Sequence, residues 1–149
     1  MKIVKYEKKY ENVFKRMSLN WIEKYFSIEA EDLRTLDSIE SLVDNGAMIL
    51  FVVEDDVVLS TCMIRPLYDN VWEIGKLATN EQYLGNGAGS MVFDACLNYA
   101  KEHGAKKVVL YSHTSLQPAI HIYEKFNFKE VPVSNSEYIR CNYQAELDF

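Results

Sequence analysis

Apolar residues recur through residues 10–26 at helical intervals. Phe14, Met17, Trp21 and Tyr25 fall on one line, with Ile22 and Phe26 beside it, and this spacing predicts a helix. Leu33, Leu36, Ile39 and Leu42 then repeat at intervals of three. Asp37 followed by Glu40 has the form of a capping box, which leaves this stretch open to division into two short helices. Gly46 marks their end.

Strand patterns follow. Residues 2–6 form a short first strand. Residues 47–54 form a second, Asp55-Asp56 a turn, and residues 57–64 the hairpin partner. Residues 66–70 read as another turn and residues 71–79 as a further strand. Gly85, Gly87 and Gly89 make a glycine-rich loop. Helical spacing returns over residues 90–103, with Val92, Phe93, Cys96, Leu97 and Ala100 on one face and Gly104 as the stop. Residues 108–111 are apolar throughout, as in a strand buried on both faces. Residues 118–126 form a short helix with Pro118 in its first turn. Residues 138–147 alternate, with Ile139, Cys141, Tyr143, Ala145 and Leu147 on one side. The order predicts one mixed α+β domain over residues 1–149. Its strand–loop–helix–strand segment is a βαβ unit, so the two strands should run parallel.

Composition narrows the function. Sixteen basic against twenty-two acidic residues give a net charge of -6, which argues against nucleic acid as the main partner. Cys62, Cys96 and Cys141 are few, odd in number and widely spaced, as expected of a reduced, cytoplasmic protein. The charged first residues lack a secretory h-region, and the longest apolar run, residues 47–53, is too short to cross a membrane. His103, His113 and His121 match no zinc spacing, so no metal is expected. There is no G-x-S-x-G elbow.

The loop Gln82-Tyr83-Leu84-Gly85-Asn86-Gly87-Ala88-Gly89-Ser90 joins a strand to a helix. The first turn of a helix presents free N–H groups and partial positive charge, and glycines let a ligand approach the backbone closely. The loop is thus either a phosphate cradle or merely a turn. It lacks the Lys of a P-loop, and its G-x-G-x-G spacing is not the dinucleotide fingerprint.

The chain resembles the GNAT superfamily of N-acetyltransferases over nearly its whole length. The family's pyrophosphate loop, Q/R-x-x-G-x-G/A, matches with Leu84 at the first position, Gly87 and Gly89 at the glycines, and Ser90 at the helix start. A register two residues earlier, from Gln82, also fits. The stretch Glu73-Ile-Gly-Lys-Leu-Ala-Thr79 resembles the family's bulged fourth strand. Residues 117–128 resemble its A-x-x-x-Y-x-K-x-G-F block, with Tyr123 at the Tyr and Asn127 in place of Gly. Leu116 stands where the family often has Asn.

The resemblance implies acetyl transfer from acetyl-CoA to a primary amine of a small molecule, amino acid or peptide, by direct attack in a ternary complex. It implies coenzyme contacts at Leu77, Ala78 and Thr79, along Leu84, Gly85, Asn86, Gly87, Ala88, Gly89 and Ser90, and at Leu116, Ala119 and Tyr123. Tyr123 is the candidate acid toward the departing thiolate and Glu73 the candidate base, acting through water. Tyr25, Phe26 and Glu29, in the link after the first helix, are candidate acceptor contacts. Glu31 and Asp32 beside them could attract a cationic amine. His113 is a further candidate facing the cleft, His121 a surface residue, and Cys96 and Cys141 core residues. A homodimer through the last strands is compatible with the family, and no membrane is expected as partner. Two other readings stay open. One is a catalytically weak acyl-CoA-binding or sensing domain; the other is a nucleotide-binding module built on the glycine loop.

Overall fold

Residues 1–134 and 137–149 are described by a computed structural model. Two tight turns set its middle section. Asp55 and Asp56 have φ of 50° and 64°, and Asp69 and Asn70 have 45° and 62°. Short polar side chains tolerate this left-handed geometry, and consecutive positive φ values match the twist of hairpin strands. The turns connect β2 (Met48–Glu54), β3 (Val57–Tyr68) and β4 (Val71–Thr79) into an antiparallel meander. The second turn is thus two residues long and not five. Pro66 lies inside β3, next to an irregularity in its pairing with β4 that accommodates a residue without an N–H.

The remaining strands are β1 (Lys2–Lys5), β5 (Lys107–Ser112), β6 (Lys129–Val131) and β7 (Tyr143–Asp148). Together the seven form one sheet in the order β1-β2-β3-β4-β5-β7-β6. Among the described residues only the β4–β5 pair is parallel. The mixed α+β architecture and the parallel pair both match the sequence expectation.

Helices cover the two faces of the sheet. On one side lie α1 (Glu11–Tyr25), α2 (Ala30–Leu36) and α3 (Ile39–Asp44), where Phe14, Leu36 and Ile39 pack on Ile49, Phe51 and Met63. On the other lie α4 (Ala88–Glu102) and α5 (Gln117–Lys125), where Val92, Phe93, Cys96 and Ile120 pack on Leu50, Cys62, Ile64 and Ile74. Among the described residues no helix is long and apolar enough to cross a membrane.

Four local expectations are corrected. The buried ridge of α1 is Phe14, Ser18 and Ile22, spaced by four, while Tyr25 is exposed. The capping box belongs to α2, between Glu29 and Asp32; Asp37 instead ends that helix, and Leu33 is exposed. Helix α4 begins at Ala88, two residues before Ser90, because Gly87 caps it with φ of 85°. The last strand begins at Tyr143, not Tyr138. Residues 138–142 leave the sheet because Glu29 and Asp32 hold Arg140, and Ile139 is left almost fully exposed.

Candidate active site

Parallel pairing between β4 and β5 lasts only three residues: Val71, Trp72 and Glu73 face Lys107, Val108 and Val109. Beyond them the strands part. On its other edge β4 pairs Gly75 with Met63 and Ala78 with Thr61, so Lys76 and Leu77 together oppose Cys62. This is a bulge, and Lys76 takes φ of 54° to make it. Bulge and splay open a gap through the sheet.

Two adjoining cavities occupy this gap. An inner chamber of about 90 Å³ is lined by residues from α1, α2, β3, β4, α4, β5, α5 and the links between them, Glu73, Phe93, Ser112, Leu116 and Tyr123 among them. A wider groove of about 980 Å³ runs outward between α1, the end of β4 and the start of α5. Trp21, Leu77 and Ala119 line both, so the groove adjoins the chamber. The apolar residues of α1 that miss the core find their role here, with Trp21 at the junction and Met17 and Tyr25 along the groove.

The glycine loop lies past the end of β4. Gly85 and Gly87 have φ of 84° and 85°, and a Cβ on either would meet open space. Asn86 Oδ1 accepts from Ala88 N at 3.1 Å, fixing the entry to α4. Gly89 serves close packing, since a Cβ there would come 3.2 Å from Thr79 Oγ1 and 3.6 Å from Ile122 Cδ1. The first N–H groups of α4 have no acceptor within the helix. Thr79 and the exposed Leu84 border the groove on the way to the loop, whereas the side chain of Ala78 is turned into the core.

Tyr123 is buried, with its hydroxyl 3.4 Å from Ser112 Oγ. Burial pushes its phenol up to about 12, against a lowering influence of Ser112. Glu73 lies across the β3–β4 pair from Arg65. Arg65 Nε and Nη2 both donate to Glu73 Oε1, at 3.0 and 2.7 Å. Leu116 is buried at the entry to α5, and Ala119 follows one turn on. Asn127 has φ of 68°, the left-handed geometry that the family's glycine position requires.

On the acceptor side, Phe26 lines the chamber, with its ring edge-on to His113 at 5.2 Å. His113 Nδ1 accepts from Ser115 N at 3.0 Å, which puts the proton of the neutral ring on Nε2. Glu29 faces elsewhere: it accepts from Ile139 N and Arg140 N at 2.8 and 3.2 Å. His121 is exposed on α5. Tyr25 and Phe26 therefore border the cavities, while Glu29 braces the segment before β7.

Sequence reasoning missed Lys76 and Arg140 in the chamber wall, and its expectation that Asp32 attracts a cationic amine is corrected, because these two internal cations occupy the carboxylate. Asp32 is fully buried and accepts from Glu29 N, Lys76 Nζ, and Arg140 Nη1 and Nη2 at 2.7–3.0 Å. Burial raises its pKa, but the Arg140 guanidinium, the Glu29 N–H and Lys76 outweigh that and hold the carboxyl well below its usual range. Arg140 also lies over Phe26 and Tyr138, at 5.5 and 4.7 Å from the ring centres. Three chain segments are thus fastened around one carboxylate. Their partners lie 44 and 108 residues apart, and no local pattern encodes that.

The model of the acetyltransferase (GNAT) family matches residues 15–128, and the chain belongs to that family. N-alpha-acetyltransferase 60 of Drosophila melanogaster is 35% identical over 81 residues, covering 52% of this chain and 29% of that protein. The chain spans under a third of the length of the curated relatives it matches. A GNAT-family acetyltransferase structure from Staphylococcus aureus Mu50 superposes with a TM-score of 0.89 at 17% identity, covering 99% of this chain and 98% of that one. The yncA structure from Salmonella typhimurium, which holds acetyl-CoA, superposes with a TM-score of 0.78 at 15% identity, over 99% and 93% of the two chains. The fold is the GNAT fold.

Proposed function

We propose that the protein transfers an acetyl group from acetyl-CoA to a primary amine, by direct attack in a ternary complex. The observation that carries this is a groove that reaches Leu84 at the edge of the glycine loop and adjoins a chamber lined by both Tyr123 and Glu73. The fit to the coenzyme rests on three features. The groove has the size for a long ligand, the loop beside Gly85 and Gly87 is open, and after Ala88, which is capped by Asn86, the first-turn N–H groups of α4 have no acceptor within the helix.

Acetyl-CoA, when bound, supplies the carbonyl carbon for attack and the sulfur that leaves. Leu77 and Ala119 flank the route of the pantetheine arm at the junction of the cavities. The amine must lose one proton before attack. A lysine-like amine is neutral in fewer than about one molecule in a thousand at pH 7, an α-amine in roughly a tenth. Glu73 Oε2, left open by Arg65, takes that proton directly or through water. As the N–C bond forms and the C–S bond breaks, the second proton on nitrogen passes through water to the departing sulfur, which leaves as the thiol, and Glu73 returns the first proton to solvent. Tyr123 donates a hydrogen bond to the departing sulfur. Full transfer from a phenol at about 12 to a thiolate of ordinary basicity, near 8.5, is uphill by ~5 kcal/mol, so stabilising charge on sulfur is its chief task.

The test is the initial rate of thiol release from acetyl-CoA with both substrates varied. Intersecting double-reciprocal lines support a ternary complex. Parallel lines would point to an acyl-enzyme, for which the chamber wall holds two thiols, the buried Cys62 and the half-buried Cys141. Release without any dependence on amine would leave the binding-or-sensing alternative.

A further inference from the structure

The polar groups facing the chamber separate into satisfied and unsatisfied ones. Lys76 Nζ is taken up by Asp32 and the Tyr138 hydroxyl, at 3.0 and 3.3 Å. The terminal nitrogens of Arg140 are taken up by Glu29 and Asp32. These two cations of the chamber wall thus face two carboxylates behind it, and their charges cancel. The Arg65–Glu73 pair differs. Two nitrogens of Arg65 converge on one oxygen of Glu73, leaving Arg65 Nη1 and Glu73 Oε2 with no protein partner among the described residues. Both side chains line the chamber and are largely buried, at 25% and 14% exposure. Half-buried charged groups with unused hydrogen-bonding capacity are costly unless water or a ligand completes them.

We infer that the acceptor is an α-amino acid, whose carboxylate meets Arg65 Nη1 and whose amine meets Glu73 Oε2. This inference rests on the acetyl-transfer reading and specifies its acceptor. A zwitterion presents both charges from one carbon, and the site presents their complements from adjacent strands. A plain alkylamine would leave the guanidinium edge unpaired. A bare anion is disfavoured, because Glu31 and Glu137 stand near Arg65 and Glu73 is bound to it. Glu31 is itself held by Arg34, and among the described residues neither acid is hydrogen-bonded to Arg65, although both act on it electrostatically. Trp21, Phe26 and Met63 provide an apolar wall for the amino acid's side chain.

The experiment measures kcat/KM by thiol release from acetyl-CoA for the twenty common L-α-amino acids. The best of them is then compared with its amide and its decarboxylated amine, each corrected for the fraction of neutral amine. Short peptides and alkylamines complete the panel. The expected result is an amino acid preferred over its decarboxylated amine by roughly tenfold or more, as one charge-assisted hydrogen bond provides. Arg65→Lys keeps the charge but loses the planar fork, and should reduce that preference several-fold. Loss of folding would lower all rates together without changing the preference. The inference is overturned if an amine or peptide without a neighbouring carboxylate is the better acceptor, or if no amino acid reacts. If acetyl-CoA binds but no amine of any class releases thiol, the acetyl-transfer reading has failed as well.

Discussion

Lys76 Nζ lies 3.0 Å from the Oδ1 of Asp32, joining the β4 bulge to the first turn of α2. Lys76 is a non-glycine residue at φ of 54° inside a strand, a conformation that costs about 1–2 kcal/mol unless something holds it. Its side chain is 8% exposed and that of Asp32 not at all, so the ion pair is sheltered from water. The bulge that opens the chamber is therefore maintained by a residue on the opposite layer.

Replacing Asp32 with Asn should be among the most destabilising changes. It leaves the charges of Lys76 and Arg140 without their shared counter-ion in a buried setting. Breaking such a pair from one side costs about 3–5 kcal/mol. Urea unfolding of the two proteins would measure it, and a difference under about 1 kcal/mol would show that water takes over the role of Asp32.

The same pair predicts a pH dependence. The carboxyl of Asp32 is depressed in the folded state, so its contribution is complete above the unfolded value near 3.9. It disappears as pH falls through the lower folded value. The stability gap between the wild type and Asp32→Asn should stay constant from pH 8 to 5 and begin to close only below about pH 4. A gap that closes between pH 7 and 5 would assign the effect to another group.

Tyr123→Phe should lower kcat by roughly a hundredfold, within the range of a single transition-state donor, while acetyl-CoA still binds. Because burial pushes the phenol up to about 12, Tyr123 stays protonated through neutral and mildly alkaline pH. The wild-type rate should climb with pH as the amine loses its proton, without a falling limb from Tyr123 below about pH 10. A falling limb at pH 8–9 that vanishes in Tyr123→Phe would contradict this.

Gly87→Ala tests the loop. A side chain at φ of 85° costs about 1 kcal/mol or more, and here it also disturbs the cap of α4. The Kd for acetyl-CoA should rise at least several-fold, with a small loss in Tm. An unchanged Kd would place the coenzyme's phosphates elsewhere.

Much of this fold was legible because its signals are local. The Asp55-Asp56 turn, the Gly46 and Gly104 stops and the apolar run of β5 each act within a few residues. Asn127 showed that a left-handed turn survives replacement of glycine. Of the candidate site, motifs reached Tyr123 and Glu73, which line the chamber, and the glycines past the end of β4; their roles are proposals. Arg65 could be placed beside Glu73 only by knowing the β3–β4 register, which an irregularity between Pro66 and Tyr68 shifts by one residue. Residues 138–142 alternate like the strand that follows them, and only the distant carboxylates of Glu29 and Asp32 explain why they leave the sheet.

The most direct test of the central claim is a calorimetric titration of the folded protein with acetyl-CoA, with ATP as the control. The cleft, bulge and α4 N-terminus predict saturable binding near one equivalent of acetyl-CoA and none of comparable strength for ATP. No binding of acetyl-CoA, or tighter binding of ATP, would contradict the account.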